Sequence, residues 1–168
     1  MPLNITLNAT HLQTLDLSPV KSTIAAWLDR GTLSEAGVTQ AGVISEEQQI
    51  CFTIDYPQSP DDPRELPEIP EVRLWFIYLD ATYPWLPLLL DWQAGELARY
   101  AAMLVPHQFS AKEGIQYNPE ALEIFVMQKV FVLSQWMRTQ GMINSSRIKS
   151  MAQMFGYDLD DELFNLLT

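Results

Sequence analysis

Few side chains in this sequence have the types and spacing that catalysis or metal binding requires. The two histidines, His11 and His107, each stand alone, and a lone histidine is more often a packed or surface residue than a ligand. Cys51 is the single cysteine, so the chain cannot form an internal disulfide and lacks the usual ligands of a zinc or iron–sulfur site. Phosphate-binding glycine loops and nucleophile elbows are also absent. We therefore expect no catalytic residue, no metal and no cofactor.

An enzyme would have to draw on Asp80, Asp91 and His107, which flank an aromatic stretch. Their spacing does not require an active site. A small-molecule enzyme or ligand-binding domain with a pocket at residues 80–92 is nevertheless the alternative reading. A deep, closed pocket with convergent polar groups would favour it, whereas a flat aromatic patch beside an acidic loop would favour protein binding.

The segment 56–70, YPQSPDDPRELPEIP, has the composition of a stiff acidic loop, and we call it the acidic loop. Its prolines remove amide donors and fix φ, so no regular element can run through it. Its charged residues are Asp61, Asp62, Arg64, Glu65 and Glu68. The loop is either a rigid connection with solvated charges or a docking surface that is ordered at low entropy cost.

Three aromatic residues, Tyr83, Trp85 and Trp92, lie within a short span around Pro84 and Pro87, and we call residues 83–92 the aromatic corner. Aromatic side chains supply anchors at interfaces, and carboxylates select a basic partner surface. If the protein binds a partner, the acidic loop and the aromatic corner are the surfaces that we expect it to use.

Three strands are predicted, at 3–8, 49–55 and 72–80. The first two alternate apolar and polar residues, whereas 72–80 is almost continuously apolar and is predicted to be an interior strand. The Asn118-Pro119 pair predicts a long helix over 120–139. The fold class is therefore α+β: a small antiparallel or mixed sheet of three to five strands packed against a long helix, followed by a helical C-terminal segment. A further helix is predicted from Ser18 to Gly31, and a short strand near 43–44.

The long helix has two unusual features. Lys129 lies in the middle of its apolar face, so its ammonium must snorkel or find a carboxylate. A second apolar stripe, Ile124, Met127 and Phe131, faces the other way and is either sandwiched in the domain or reserved for a partner. Sandwiching is the commoner arrangement. The core residues that we predict to be mostly buried are Trp75, Ile77, Phe125, Leu133 and Trp136.

Composition limits the class of protein. A chain of 168 residues, 48% of them hydrophobic, is predicted to form one domain over 1–168 with a sizeable core. The formal net charge of −11 argues against nucleic acid and anionic lipid as partners. The best apolar runs contain charges or prolines, so we expect no membrane insertion. No leader precedes the first predicted strand, which predicts a soluble protein of the compartment that makes it.

Long runs of the chain carry a family resemblance: LDLSP (15–19), FTIDYP (52–57), DDPRELPEIPEVRLWFIYLD (61–80), YPWLPLLLDWQAGELARYAAMLVPHQF (83–109), GIQYNPEALEIFVM (114–127) and KSMAQMFGYDLDD (149–161). They resemble the chlororespiratory-reduction family of cyanobacteria and chloroplasts. The resemblance implies a maturation factor that assists the iron–sulfur I subunit into the hydrophilic arm of the photosynthetic NADH dehydrogenase-like (NDH) complex. It transfers no catalytic or metal residue, and residues 32–47 do not match. Without a transit peptide, the chain resembles the cyanobacterial version and is expected in the cytosol.

Overall fold

The computed structural model describes residues 3–8, 50–141 and 145–167. Within them, four strands lie at Leu3–Asn8 (β1), Ile50–Asp55 (β2), His107–Ser110 (β3) and Gly114–Tyr117 (β4). Five α-helices lie at Pro70–Thr82 (α1), Glu96–Leu104 (α2), Pro119–Thr139 (α3), Ser146–Met154 (α4) and Asp161–Leu166 (α5). The predicted α+β class is confirmed. The helix expected at 18–31 and the strand near 43–44 lie outside the described residues.

The strands form two separate pairs instead of one larger sheet. β1 and β2 pair in parallel, with Leu3 opposite Ile50 and Asn8 opposite Asp55. β3 and β4 form an antiparallel hairpin. A single parallel bridge joins Ile50 to Leu90, so the end of the aromatic corner lies along the free edge of β2. The strands expected at 3–8 and 49–55 are confirmed, but the described residues contain no sheet of three to five strands.

The segment 72–80 is the main error of the sequence prediction, because it lies in helix α1 and is not a strand. Pro70 occupies the first helical turn, where its missing amide costs nothing and its φ is already helical. The buried residues Val72, Trp75, Phe76 and Leu79 follow the i, i+3, i+4, i+7 spacing of one helix face. Large apolar residues on the outer face (Leu74, Ile77 and Tyr78) fill the gaps in this pattern and made the run look continuous.

Helix α3 runs through the core as predicted. The Asn118 side chain accepts a hydrogen bond from the backbone N–H of Ala121, and Pro119 follows it in the first turn. Phe125 and Leu133 are buried, and so is Trp75 on α1. Trp136 is half-buried and stacks on Trp85, with ring centroids 6.0 Å apart.

Ile77 contradicts the core prediction, because 44% of its surface is exposed. A strand would have placed Ile77 on the same face as Trp75 and Leu79, each two residues away, whereas the helix turns it away from the core. On α3, Ile124 and Phe131 are 65% and 47% exposed, so the second apolar stripe is not sandwiched at these two positions.

The buried Lys129 on α3 is paired with a carboxylate, one of the two arrangements expected from the sequence. Lys129 is fully buried, and its ammonium donates to Asp80 Oδ1 on α1. The hydroxyl of Tyr100 on α2, also fully buried, donates to the same oxygen. These bonds join three helices at one point. Burial lowers the pKa of Lys129, and Asp80 opposes this shift.

No described helix is long and apolar enough to cross a membrane.

Candidate functional site

The acidic loop is held in shape by its own hydrogen bonds. The backbone N–H of Asp62 donates to the carbonyl of Ser59 at 2.9 Å, and the Gln58 amide donates to the carbonyl of Arg64 at 2.8 Å. The backbone N–H of Glu65 donates to the Glu68 carboxylate at 2.8 Å, at the start of a short 3-10 turn, Leu66–Glu68. A loop already ordered in this way loses little conformational entropy when it binds a partner.

The four carboxylates of the loop lie in different environments. Arg64 forms a two-pronged ion pair with Asp62, and its hydrogen bonds lower the pKa of Asp62 to about 2. Asp61 and Glu68 are exposed, whereas Glu65 is half-buried. The negative charge that the loop offers to a partner therefore comes from Asp61, Glu68 and Glu65.

Glu65 borders a cleft that the sequence did not predict, and we call it the Glu65 cleft. Its volume is about 320 Å³, and its walls are the 65–67 segment, α2 and the β3–β4 hairpin. The lining of the cleft includes Glu65, Leu66, Arg99, Met103, Phe109 and Ile115. Glu65 Oε2 is buried and has no hydrogen-bond partner among the described residues. Burial and the neighbouring Glu68 raise the pKa of Glu65, whereas His107 opposes the shift.

The hairpin wall of this cleft is fixed by cross-strand pairing. Phe109 lies opposite Ile115, and His107 lies opposite Tyr117. The Tyr117 hydroxyl donates to the carbonyl of Ala98 on α2 at 2.8 Å, which ties the hairpin to that helix. Burial raises the pKa of Tyr117 to about 12, so this hydroxyl stays protonated and keeps donating at neutral pH.

Arg99 is the one basic residue among the described residues that line the Glu65 cleft, and it is engaged by its own helix and by β2. Its guanidinium is 3.2 Å from the carboxylate of the buried Glu96 and donates to the carbonyl of Phe52 at 2.6 Å. Glu96 in turn accepts from the N–H of Phe52 at 3.2 Å. Burial raises the pKa of Glu96, and Arg99 opposes this shift. The positive charge of Arg99 is therefore used largely within the fold.

The aromatic corner is more deeply integrated in the fold than the sequence suggests. Tyr83, Trp85 and Trp92 are all half-buried. Tyr83 packs edge-on against Trp85, and the Trp92 indole N–H donates to the carbonyl of Pro87 at 2.8 Å. The guanidinium of Arg147 on α4 lies 4.1 Å from the Trp92 ring centroid, and burial lowers the pKa of Arg147 to about 10. These rings hold α1, α3 and α4 together.

The acidic loop and the first residue of the aromatic corner lie at opposite ends of α1. The acidic loop leads into Pro70 at the N-terminus of α1, and Tyr83 follows its last residue. A helix of 13 residues is about 20 Å long. The other end of the corner lies nearer the loop, because the N–H of Gly95, which lines the same cleft as Glu65, donates to the carbonyl of Trp92.

The exposed face of α1 between these ends is apolar. Leu74 and Tyr78 are about two-thirds exposed, and neighbouring Ile77 is partly exposed. A second cleft, of about 330 Å³, lies between residues 104–106 and α3, and Asp80 on α1 also lines it. The exposed face of α1 was not predicted from the sequence, although the i, i+3, i+4, i+7 spacing in α1 could have revealed it.

Asp80, Asp91 and His107, on which the alternative enzyme hypothesis depends, each form hydrogen bonds with different partners. Asp80 accepts from Lys129 and Tyr100, and Asp91 Oδ1 accepts from the N–H of Ala94 at 3.0 Å. His107 Nδ1 lies 3.0 Å from the carbonyl of Val105. No hydrogen bond or ion pair among the described residues joins any two of the three.

The described residues contain no group of three or more histidine, cysteine, aspartate or glutamate side chains that could hold a metal ion. Cys51 is a free thiol, and burial, Glu96 and Asp91 raise its pKa.

Comparison with known proteins gives a family but no solved relative. No solved structure matches the chain. The model of the family chlororespiratory reduction 6 matches residues 7–166, which is nearly the whole chain and includes 32–47, where the sequence runs quoted above do not extend. This family is linked to assembly of the NDH complex. The chain therefore belongs to the chlororespiratory reduction 6 family.

Proposed function

We propose that this protein is a non-catalytic maturation factor that binds the iron–sulfur I subunit of the NDH complex and promotes its incorporation into the hydrophilic arm. Membership of a family linked to assembly of that complex supports the general role. The observation that carries the choice of surface is the acidic loop, because its hydrogen bonds order it before any partner arrives. The proposal places the protein in the cyanobacterial cytosol.

The acidic loop supplies charge, which acts mainly on the rate and selectivity of encounter. Asp61, Glu65 and Glu68 are not paired with Arg64, and the whole chain carries a net charge of −11. Such a surface favours a partner with a basic patch and disfavours acidic ones. We propose that Asp61, Asp62, Arg64, Glu65 and Glu68 form this docking surface.

The aromatic corner is proposed to contribute the exposed parts of Tyr83, Trp85 and Trp92 as secondary anchors. Because all three rings also pack within the fold, replacing them would disturb stability as well as binding. Tests of the interface are therefore cleaner at the loop. No specific observation on the described residues favours the alternative of a small-molecule enzyme at the corner.

A pull-down tests the partner. The tagged protein is expressed in cyanobacterial cells that lack the assembled complex, where the immature I subunit has no other destination. We expect the I subunit to co-purify with the tagged protein, and much less of it to do so from cells in which the complex is complete. An absence of the I subunit from the captured proteins in both strains would contradict the proposal.

A further inference from the structure

We propose that the Glu65 cleft receives a lysine side chain of a protein partner, with the methylene stem against the apolar walls and the ammonium beside the Glu65 carboxylate. This inference rests on the proposed function for its assumption that a protein docks at the acidic loop.

The walls of the cleft suit the stem of a lysine. Leu66, Met103, Phe109 and Ile115 give it an apolar lining, and Phe109 is 48% exposed at its mouth. A volume of about 320 Å³ is at the lower end of ligand pockets, which run from roughly 300 to 1,000 Å³. The cleft therefore accommodates one long side chain more readily than a large cofactor. Lysine commonly buries its methylene groups while its charged end finds a polar partner.

The unsatisfied oxygen gives the cleft its chemistry. Glu65 Oε2 is removed from solvent and accepts no hydrogen bond from the described residues. A buried acceptor without a partner is costly, and a charged donor forms a shorter and stronger bond to a carboxylate than a neutral donor does. A donor brought by a partner would remove this cost once the Glu65 side chain turns this oxygen towards the cleft.

The charges around the cleft favour a cation. Glu68 adds a second carboxylate next to Glu65, while the charge of Arg99 is opposed by Glu96. The raised pKa of Glu65 has burial and Glu68 as its causes, and a bound cation would offset both.

The test uses small probes and the whole protein, so that it does not depend on the I subunit. N-acetyl-lysine methylamide is titrated into the protein while the methyl signals of Met103 and Ile115 are followed by NMR. N-acetyl-norleucine methylamide, which has a similar stem and no charge, is the matched probe. The lysine probe is expected to shift both signals with a dissociation constant on the order of millimolar, and the norleucine probe to bind at least about tenfold more weakly.

Two variants complete the test. Glu65→Gln removes the charge at the cleft, and Asp158→Asn removes the same charge from an exposed position near the C-terminus, away from the loop. We expect Glu65→Gln to weaken binding of the lysine probe at least about tenfold and Asp158→Asn to change it little. Equal binding of the two probes by the parent protein, or no shift at all, would overturn the inference even if Glu65→Gln failed to fold. A failed pull-down of the I subunit would leave this result unaffected, so the two proposals fail separately.

Discussion

At the scale of single residues, the two charged side chains that are buried among the described residues, Glu96 and Lys129, each have an oppositely charged partner. Lys129 was recognisable from sequence as a cation on an apolar face, and its need for a carboxylate was predictable from the cost of burying a charge. Its partner was not predictable, because Asp80 lies 49 residues away and was assigned to a strand. The Tyr100 hydroxyl completes the cluster by donating to the same carboxylate oxygen.

This cluster predicts a large loss of stability when one partner is removed. Asp80→Ala should lower the free energy of unfolding by about 3–5 kcal/mol, because it leaves the ammonium of Lys129 buried and unpaired. The double variant Asp80→Ala/Lys129→Met should recover most of this loss, since methionine fills the space without a charge. Urea denaturation of the parent, both single variants and the double variant measures the coupling. A double variant no more stable than Asp80→Ala would show that the ion pair is not the cause.

The environment of Glu65 predicts a pH dependence of stability. The charged groups around it are Glu68 on its own loop, His107 on β3 and Arg99 on α2. Because its pKa is raised in the folded state, the folded protein binds more protons than the unfolded chain just above the ordinary glutamate pKa. The contribution of Glu65 to stability is therefore present below that value and is lost as pH rises through its folded pKa.

Glu65→Gln isolates this contribution. We expect the free energy of unfolding of the parent to fall relative to that of Glu65→Gln as pH rises through this window, as measured by urea denaturation at a series of pH values. Asp61→Asn, whose carboxylate is exposed, serves as the control. Parallel curves for the parent and Glu65→Gln would mean that the Glu65 carboxylate has no such cost.

At the scale of elements, the reliable signals were local. β1 and β2 were predicted from short-range alternation, and α3 from the Asn118-Pro119 start signal. Residues 72–80 were assigned wrongly because their exposed apolar side chains conceal the helical period. The parallel pairing of β1 with β2 depends on contacts distant in sequence, and so does the Glu65 cleft. No local pattern encodes such contacts.

Adjacent residues on α1 test the helix directly. Phe76 is fully buried, whereas Ile77 is partly exposed. Phe76→Ala should cost about 3–5 kcal/mol of unfolding free energy and Ile77→Ala less than about 1 kcal/mol, because only the first change removes a core side chain. Chemical denaturation followed by circular dichroism measures both. A larger loss for Ile77→Ala than for Phe76→Ala would contradict the helix register.

At the scale of the whole molecule, the sequence predicted the class of protein better than its surface. The net charge and the single cysteine argued against nucleic-acid binding and metal sites, whereas the protein-binding role followed from the family resemblance, which the family match confirms. The predicted partner-binding surface stays a prediction, and α1 separates the acidic loop from Tyr83 at the start of the aromatic corner. The exposed apolar face of α1 lies between the loop and Tyr83.

The central claim is that the acidic loop docks the I subunit, and exposed charges on the loop offer the sharpest test. Asp61→Lys/Glu68→Lys reverses two exposed carboxylates that are not paired with Arg64. Removing the Glu68 acceptor costs one hydrogen bond, so the free energy of unfolding should fall by no more than about 1.5 kcal/mol. The control, Asp158→Lys/Glu162→Lys, makes the same change of charge at exposed positions near the C-terminus.

The measurement is the association rate constant with the purified I subunit at low and moderate salt. We predict that the loop variant associates more slowly than the parent and shows a weaker salt dependence, because charge at an interface acts mainly on encounter. The control should associate faster than the loop variant and closer to the parent. Equal association rates for the parent and a well-folded loop variant, or no binding by the parent, would contradict the account.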